Sequence, residues 1–110
     1  MAIEFLNWAR SKYILSIVSG SSKDNIYSSL ERNNLLDLFK NIICGEDVFK
    51  SKPNPEGFEL AIKLSKTLKK DALIFEDSKN GICAAKAAGI DCLIVSEDSF
   101  WETLFYMVTK

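Results

Sequence analysis

The sequence of 110 residues contains no histidine. This absence excludes catalysis by Ser-His-Asp and Cys-His arrangements, and it excludes metal sites with imidazole ligands. Any chemistry must therefore come from Asp, Glu, Lys, Ser and backbone amides. These are the groups that proteins use to bind Mg²⁺ and phosphate.

Cysteine, net charge and long apolar runs are also scarce. The three cysteines are odd in number and form no Cys-x-x-Cys pair, which argues against a disulfide framework or a zinc site. Because they lie in apolar runs, we expect buried free thiols in a reducing compartment, the cytoplasm. The net charge of −1 gives no electrostatic footprint for nucleic acid or an anionic membrane. Short apolar runs such as Tyr13–Val18 predict no membrane span, and no secretory signal is recognisable.

The order of predicted elements indicates the fold class. The length fits one domain over residues 1–110, and apolar strands alternate with amphipathic helices. Strands are predicted at Tyr13–Val18, Ile42–Cys44, Ala72–Phe75 and Asp91–Val95. Helices are predicted at Ile3–Lys12, at Lys23–Asn33, from Pro55 (capped by Asn54) to Lys70, from Ser78 to Gly89, and at Phe100–Val108. This alternation predicts an α/β fold with a parallel sheet and right-handed crossovers.

Three polar clusters lie after strands or near one, where open parallel sheets bind their ligands. In the first, Ser19 and the amides of Gly20 and Ser21 could bind a phosphate oxygen at the start of a helix. The alternative is an ordinary strand-to-helix turn with a serine cap. In the second, Lys52 sits in a loop with two prolines and could neutralise a phosphate, or it could be a solvated surface lysine.

The third cluster is Glu76-Asp77-Ser78, directly after a buried strand. Two adjacent carboxylates at a strand end can hold Mg²⁺ while water fills the other positions. The alternative is that Asp77 or Ser78 only caps the next helix.

Taken together, the clusters resemble the motifs of the haloacid dehalogenase superfamily, in its beta-phosphoglucomutase-like branch. The segment Ile17–Ser22 resembles the second motif of that family. Ser51–Phe58 resembles the third motif, in the form Lys-Pro-x-Pro-x-x-Phe, and Phe75–Ile90 resembles the fourth. The motifs follow one another in the family's order, and the resemblance runs from about Ile3 to Val95.

The resemblance implies a Rossmann-like three-layer core that transfers phosphoryl groups of phosphorylated small molecules, with sugar phosphates the expected class. It implies that Ser19 hydrogen-bonds the transferring phosphoryl group with help from the amide of Gly20. Ser21 falls where relatives contact the substrate, and Lys52 would stabilise the charge on the phosphoryl oxygens. Such roles suit phosphoryl transfer, which depends on positioning and charge neutralisation.

The resemblance also implies Mg²⁺ as the cofactor, held by Asp77 together with Glu76. The family's nucleophile lies in a first motif, Asp-x-Asp, which does not occur anywhere in the sequence. The acidic pairs at 46–47, 76–77 and 97–98 are all adjacent. We therefore expect an incomplete core without the central first-motif strand and the helical cap, inactive unless a first-motif segment completes it. A non-catalytic phosphate- and Mg²⁺-binding module and a shortened gene product are the alternatives.

The resemblance has a structural consequence as well. The first-motif strand would lie between Tyr13–Val18 and Ala72–Phe75, whose facing edges would otherwise keep unpaired backbone groups. We expect one of three outcomes: a complementing chain supplies the strand, two copies associate across the gap, or the two strands pair directly. Pairing of Tyr13–Val18 with any other strand of the same chain would exclude all three.

Overall fold

The computed structural model describes residues 2–95 and 106–109, which form four helices and five strands. The helices are α1 (Ala2–Arg10), α2 (Lys23–Arg32), α3 (Glu56–Ser65) and α4 (Lys79–Ala88). The strands are β1 (Ile14–Val18), β2 (Asn41–Ile43), β3 (Ala72–Glu76), β4 (Asp91–Ile94) and β5 (Tyr106–Thr109). From α1 to β4 the elements alternate as the sequence predicts, with bounds that shift by one or two residues in most cases.

The five strands form one sheet in the order β2-β1-β5-β3-β4. β1 pairs with β2 and β3 pairs with β4, in both cases parallel. β5 lies between β1 and β3 and runs antiparallel to both, with Tyr106 opposite Ile17 on one side and Phe75 on the other. The predicted α/β class is confirmed, and β5 is the strand that departs from the predicted parallel arrangement.

β5 corrects two of our expectations. β1 pairs with β5, a strand of the same chain other than β3. All three expected outcomes are therefore wrong as stated: a strand from another chain, association of two copies, and direct pairing of β1 with β3. The helix predicted over Phe100–Val108 is also wrong where it reaches residues 106–108, which are extended; residues 100–105 lie outside the described part. Two facing strand edges need partners for their backbone groups, and that need outweighs the local helical pattern.

The helices cover both faces of the sheet and give three layers. Along β1 the side chains alternate, so Leu15 and Ile17 join one core cluster and Val18 joins the other. Helices α1 and α2 pack on the first face, where the buried side chains include Leu6, Ala9, Ile26 and Leu30. Helices α3 and α4 pack on the second face, where they include Phe58, Ala61, Ala84, Ala85 and Ala88.

α3 is shorter than predicted at both ends. It begins at Glu56, whose amide donates to Oδ1 of Asn54 at 3.0 Å, so the asparagine still satisfies one amide at the start of the helix. The helix ends at Ser65 because Lys66 adopts a left-handed conformation with φ of 54°. The lysines predicted to close the helix belong instead to a separate 3₁₀ turn, Lys69–Asp71.

The cysteines are free thiols, as predicted, but their burial differs. Cys44 is buried, Cys92 is partly buried and Cys83 is exposed. The expectation of burial is therefore wrong for Cys83, which lies on the outer side of α4 while Ala84 and Ala85 face the core. Among the described helices, none combines the length and apolar character needed to cross a membrane.

Candidate active site

Lys52 joins the ends of two strands on either side of β5. Its ammonium donates one hydrogen bond to the carbonyl oxygen of Val18, the last residue of β1, at 2.8 Å. It donates another to Oε2 of Glu76, the last residue of β3, also at 2.8 Å. The ring of Phe58 lies 5.0 Å from the ammonium, close enough for a cation–π contact. The three polar clusters found in the sequence therefore meet at the carboxyl edge of the sheet.

The surroundings of Lys52 are mostly dry. Its side chain is 15% exposed, and burial lowers the pKa of its ammonium below the ordinary lysine value. The nearby charge of Glu76 and the hydrogen bond to it act in the opposite direction, and Asp77 adds to that opposition. Lys52 is therefore not the solvated surface lysine that was the alternative.

Glu76 is fully buried, and protein donors occupy both of its carboxylate oxygens. Oε2 accepts from Lys52, while Oε1 accepts from the amides of Asp77 and Ser78 at 3.2 and 3.3 Å and from the hydroxyl of Ser78 at 3.1 Å. Such a set of donors offsets the desolvation of a buried carboxylate. Glu76 is thus fixed in one orientation, which in turn fixes the ammonium.

The start of α4 packs directly against this carboxylate. Ser78 caps the helix, since its hydroxyl oxygen accepts from the amide of Gly81 at 3.0 Å. A Cβ atom at position 81 would overlap the side-chain carboxyl group of Glu76. Glycine is therefore required at position 81 because the helix and the carboxylate approach so closely.

Asp77 differs from Glu76 in having an unused oxygen. Its Oδ1 is buried and, within the described residues, has no hydrogen-bond partner. A buried carboxylate oxygen without a partner is unfavourable and requires an explanation, such as an ion. The chemistry fits Mg²⁺, which proteins commonly hold through one or two carboxylates while water and phosphate complete the coordination. Within the described residues no group of three Cys, Asp or Glu side chains comes together, so an ion here would take few protein ligands.

The turn after β1 is held by hydrogen bonds of its own. The amide of Ser19 donates to the carbonyl of Ile43 at 2.9 Å, and the hydroxyl oxygen of Ser19 accepts from the amide of Ser21 at 3.1 Å. Ser22 caps α2 by accepting from the amide of Asn25 at 3.2 Å. The capping function that we considered for this turn thus falls to Ser22, and the hydroxyl of Ser19 remains beside the end of the strand.

A small cavity of about 20 Å³ connects this turn to the loop that carries Lys52. Ser19, Gly20, Ser51 and Lys52 are among its lining residues, whereas Ser21 is not. A cavity of about 480 Å³ lies at the amino edge of β3, lined by aromatic residues of α1 and by none of the predicted site residues. The larger cavity is therefore unrelated to the polar clusters, and we take the convergence of polar groups to mark the site.

Two further glutamates hold the loops of the site, a role that the sequence did not predict for them. Glu56 accepts hydrogen bonds from the amides of Phe49 and Lys50 at 2.8 and 3.0 Å, which ties the loop before Lys52 to the first turn of α3. Glu46 accepts from the amide of Lys23 with both oxygens, at 2.9 and 3.1 Å. For Glu56 the sequence shows an acidic residue in the first turn of a predicted helix. Nothing in the sequence indicates the contact of Glu46 with Lys23, because the two residues lie 23 positions apart.

Three-layer α/β folds bind ligands at the carboxyl ends of their strands, and a lysine, two carboxylates and a serine turn gather at that edge here. The chain belongs to the haloacid dehalogenase-like hydrolase family, whose model matches residues 2–95. It is 34% identical over 93 residues to a validoxylamine A 7'-phosphate phosphatase of Streptomyces hygroscopicus subsp. limoneus, covering 84% of this chain and 44% of that protein. It is 32% identical over 90 residues to a phosphorylated carbohydrates phosphatase of Thermotoga maritima, covering 82% and 41%.

A solved structure from Thermotoga maritima, described as a beta-phosphoglucomutase candidate, superposes with a TM-score of 0.77 at 28% identity. That match covers 92% of this chain and 50% of the other. The chain spans somewhat less than half the length of the two phosphatases above. β5 lies beyond residue 95 and therefore outside the part that the family model matches.

Proposed function

We propose that this chain forms the phosphate- and Mg²⁺-binding part of a phosphoryl-transfer site. The observation that carries the proposal is the position of Lys52, whose ammonium contacts Val18 and Glu76 at the ends of β1 and β3. One largely buried cation is thereby held between the end of β1, where the serine turn begins, and the carboxylate of Glu76. Membership of the haloacid dehalogenase-like hydrolase family supports this assignment, as does the similarity to a validoxylamine A 7'-phosphate phosphatase and a phosphorylated carbohydrates phosphatase.

In this proposal the phosphoryl group lies beside the turn after β1. The hydroxyl of Ser19 and the amide of Gly20 donate hydrogen bonds to its oxygens, and Lys52 neutralises part of its charge. Ser21 has a supporting role, because its amide donates to the oxygen of Ser19 and so orients that hydroxyl. The ammonium of Lys52 and the hydrogen-bond donors of the turn act here by positioning and charge stabilisation, which are the main requirements of phosphoryl transfer.

Mg²⁺ would be held on the other side, by Asp77. The buried Oδ1 of Asp77 supports this role, and Glu76 keeps the adjacent backbone and Lys52 in place. When bound, the ion would supply charge neutralisation at the phosphoryl oxygens. We propose phosphorylated small molecules in the cytoplasm as ligands. Sugar phosphates are the first class to test, since one relative is named for phosphorylated carbohydrates.

The 110 residues contain no Asp-x-Asp sequence, so we propose that they bind phosphate and Mg²⁺ without turnover unless a first-motif segment takes the place of β5 between β1 and β3. This makes a binding module without chemistry the second candidate function. In the first candidate a first-motif segment would restore turnover, whereas in the second it would not. The two candidates share the same binding prediction, and a single set of variants examines that prediction.

The decisive experiment is isothermal titration calorimetry of the purified chain with MgCl₂ and with orthophosphate, beside Lys52→Ala, Asp77→Asn and the control Glu59→Gln. Glu59 lies on α3, is exposed and pairs with Lys69, so its charge can be removed without touching the site. We expect Asp77→Asn to abolish Mg²⁺ binding, Lys52→Ala to weaken orthophosphate binding at least about tenfold, and Glu59→Gln to change neither.

Hydrolysis of p-nitrophenyl phosphate with Mg²⁺ is measured on the same four proteins. We expect no release above background from any of them. Release that disappears in both site variants would show that the chain contains a nucleophile and would overturn the proposed lack of turnover. Equal binding by all four proteins would refute the site itself.

A further inference from the structure

A short 3₁₀ turn, Gly45–Asp47, follows β2 and packs against the turn that carries Ser19. We call the contacts between these two turns the clasp. The amide of Gly45 donates to the carbonyl of Ser21 at 2.8 Å. The two backbones approach so closely that a Cβ at position 45 would lie 2.6 Å from the carbonyl oxygen of Gly20. Glu46, between these contacts, then reaches the amide of Lys23 with both carboxylate oxygens.

This contact places an anion of the protein itself at the start of α2. The first amides of a helix lack intrahelical acceptors and attract negative charge. Here the amide of Lys23 is taken by Glu46, and the amide of Asn25 is taken by the capping hydroxyl of Ser22. A phosphate that approached this helix end would meet the exposed carboxylate of Glu46 at the amide of Lys23.

The clasp also fixes the serine turn. Ser21 is held through its carbonyl by Gly45, and its amide donates to the hydroxyl oxygen of Ser19. Glu46 holds the other end of the turn at Lys23, so the turn is held at Ser21 and at Lys23. Loss of the carboxylate would release the start of α2 and, through the turn, the hydroxyl of Ser19.

We propose that Glu46 is a positioning residue with a second effect on specificity. It fixes the Ser19–Ser22 turn, and its charge disfavours a second phosphoryl group at the start of α2, so ligands with a single phosphate bind more tightly than diphosphates. The proposal rests on the proposed function, because it assumes that one phosphoryl group binds beside Ser19. The two substitutions Glu46→Gln and Glu46→Ala separate the two effects, since glutamine removes the charge but keeps one acceptor oxygen for the Lys23 amide, whereas alanine removes both.

The test compares orthophosphate with pyrophosphate by calorimetry on the full chain, without Mg²⁺, for the unmodified protein and both variants. Glu31→Gln is the control, since it removes the same charge from the far end of α2. In Glu46→Gln we expect the affinity for pyrophosphate relative to orthophosphate to rise about two- to fivefold. In Glu46→Ala we expect orthophosphate to bind more weakly, and the Lys23 amide to exchange with deuterium at least about tenfold faster.

Each outcome decides one part of the proposal. An unchanged pyrophosphate-to-orthophosphate ratio in Glu46→Gln, or an equal rise in Glu31→Gln, would overturn the effect on specificity. Unchanged exchange of the Lys23 amide in Glu46→Ala would overturn the positioning effect. If the unmodified chain bound no orthophosphate, the proposed function and the specificity effect would both fail. Hydrogen exchange would still decide whether Glu46 holds the turn.

Discussion

The ammonium of Lys52 and the carboxylate of Glu76 lie 2.8 Å apart, although 24 residues separate them in the chain. The lysine also contacts the end of β1, and the carboxylate accepts from the backbone after β3. β5 separates these two strands in the sheet, so this pair is a side-chain connection between its two parallel halves. The arrangement of the candidate site depends on it, and removing either partner leaves a buried charge without compensation.

The first prediction concerns the stability that this pair provides. Lys52→Met leaves the carboxylate of Glu76 buried without its cation, and we expect a loss of about 3–5 kcal/mol in the free energy of unfolding. The double variant Lys52→Met, Glu76→Gln removes both charges and should recover much of that loss. Urea denaturation of the two single variants and the double variant gives the coupling energy. Strictly additive losses would contradict an interaction between the two side chains.

The second prediction concerns pH. Burial lowers the pKa of Lys52, so between that pKa and the ordinary lysine value the unfolded chain binds more protons than the folded chain. The free energy of unfolding must therefore rise with pH in this window. Conversely, the contribution of Lys52 titration to that free energy is lost as the pH falls through the folded pKa of Lys52. Other groups titrate nearby, so the measured quantity is the difference between the unmodified protein and the double variant, from about pH 7 to about pH 10. A difference that stays constant or falls over this range would refute the direction of the shift.

The third prediction concerns Gly81. In most helices a change from glycine to alanine stabilises the protein by about 1 kcal/mol. At Gly81 the added methyl group would overlap the carboxylate of Glu76, so we expect Gly81→Ala to destabilise the protein by about 1–3 kcal/mol instead. Gly20→Ala is the matched control, because no heavy atom lies within 4 Å of the place that its added methyl group would take, and it should change stability by less than about 0.5 kcal/mol. Thermal unfolding of both variants decides the sign.

The sequence predicted β1 to β4 and the four helices, since apolar runs, glycines and capping residues act locally. The polar clusters that it singled out lie together at one edge of the sheet. Gly89, for example, was expected to end α4 and does so with φ of 74°. The clasp made by Glu46 and the insertion of β5 were not predictable in this way. Both depend on contacts between segments distant in the chain, and the strand residues 106–109 carry a helix-compatible pattern that the sheet overrides.

The fourth prediction compares two glutamates of α3. Glu56 accepts from the amides of Phe49 and Lys50, whereas Glu59 is exposed and pairs only at 3.3 Å with Lys69 among the described residues. Glu56→Ala should free the loop before Lys52 and speed the exchange of both amides, with a loss of stability of about 1–2 kcal/mol. Glu59→Ala should stay within about 0.5 kcal/mol, as is usual for surface ion pairs. Similar effects of the two substitutions would show that Glu56 does not hold the loop.

The last prediction concerns β5, which lies outside the part of the chain that the family model matches and yet occupies the middle of the sheet. Deletion of residues 106–110 leaves the facing edges of β1 and β3 without the partner that each now has over four residues. Unpaired edges in the centre of a sheet are unfavourable when buried and promote association when exposed. We therefore expect the deletion to abolish cooperative thermal unfolding or to convert the chain to oligomers, as measured by calorimetry and light scattering.

Deletion of Lys110 alone is the control for this experiment, because it shortens the chain and leaves the four paired residues in place. It should unfold like the complete chain. Met107→Pro provides a variant of full length, since proline removes a backbone donor from the middle of β5 and is poorly tolerated in a central strand. If the shortened chain and Met107→Pro both unfolded cooperatively as monomers near the original melting temperature, β1 and β3 would not need β5. Direct pairing of the two strands would then be the arrangement to consider again.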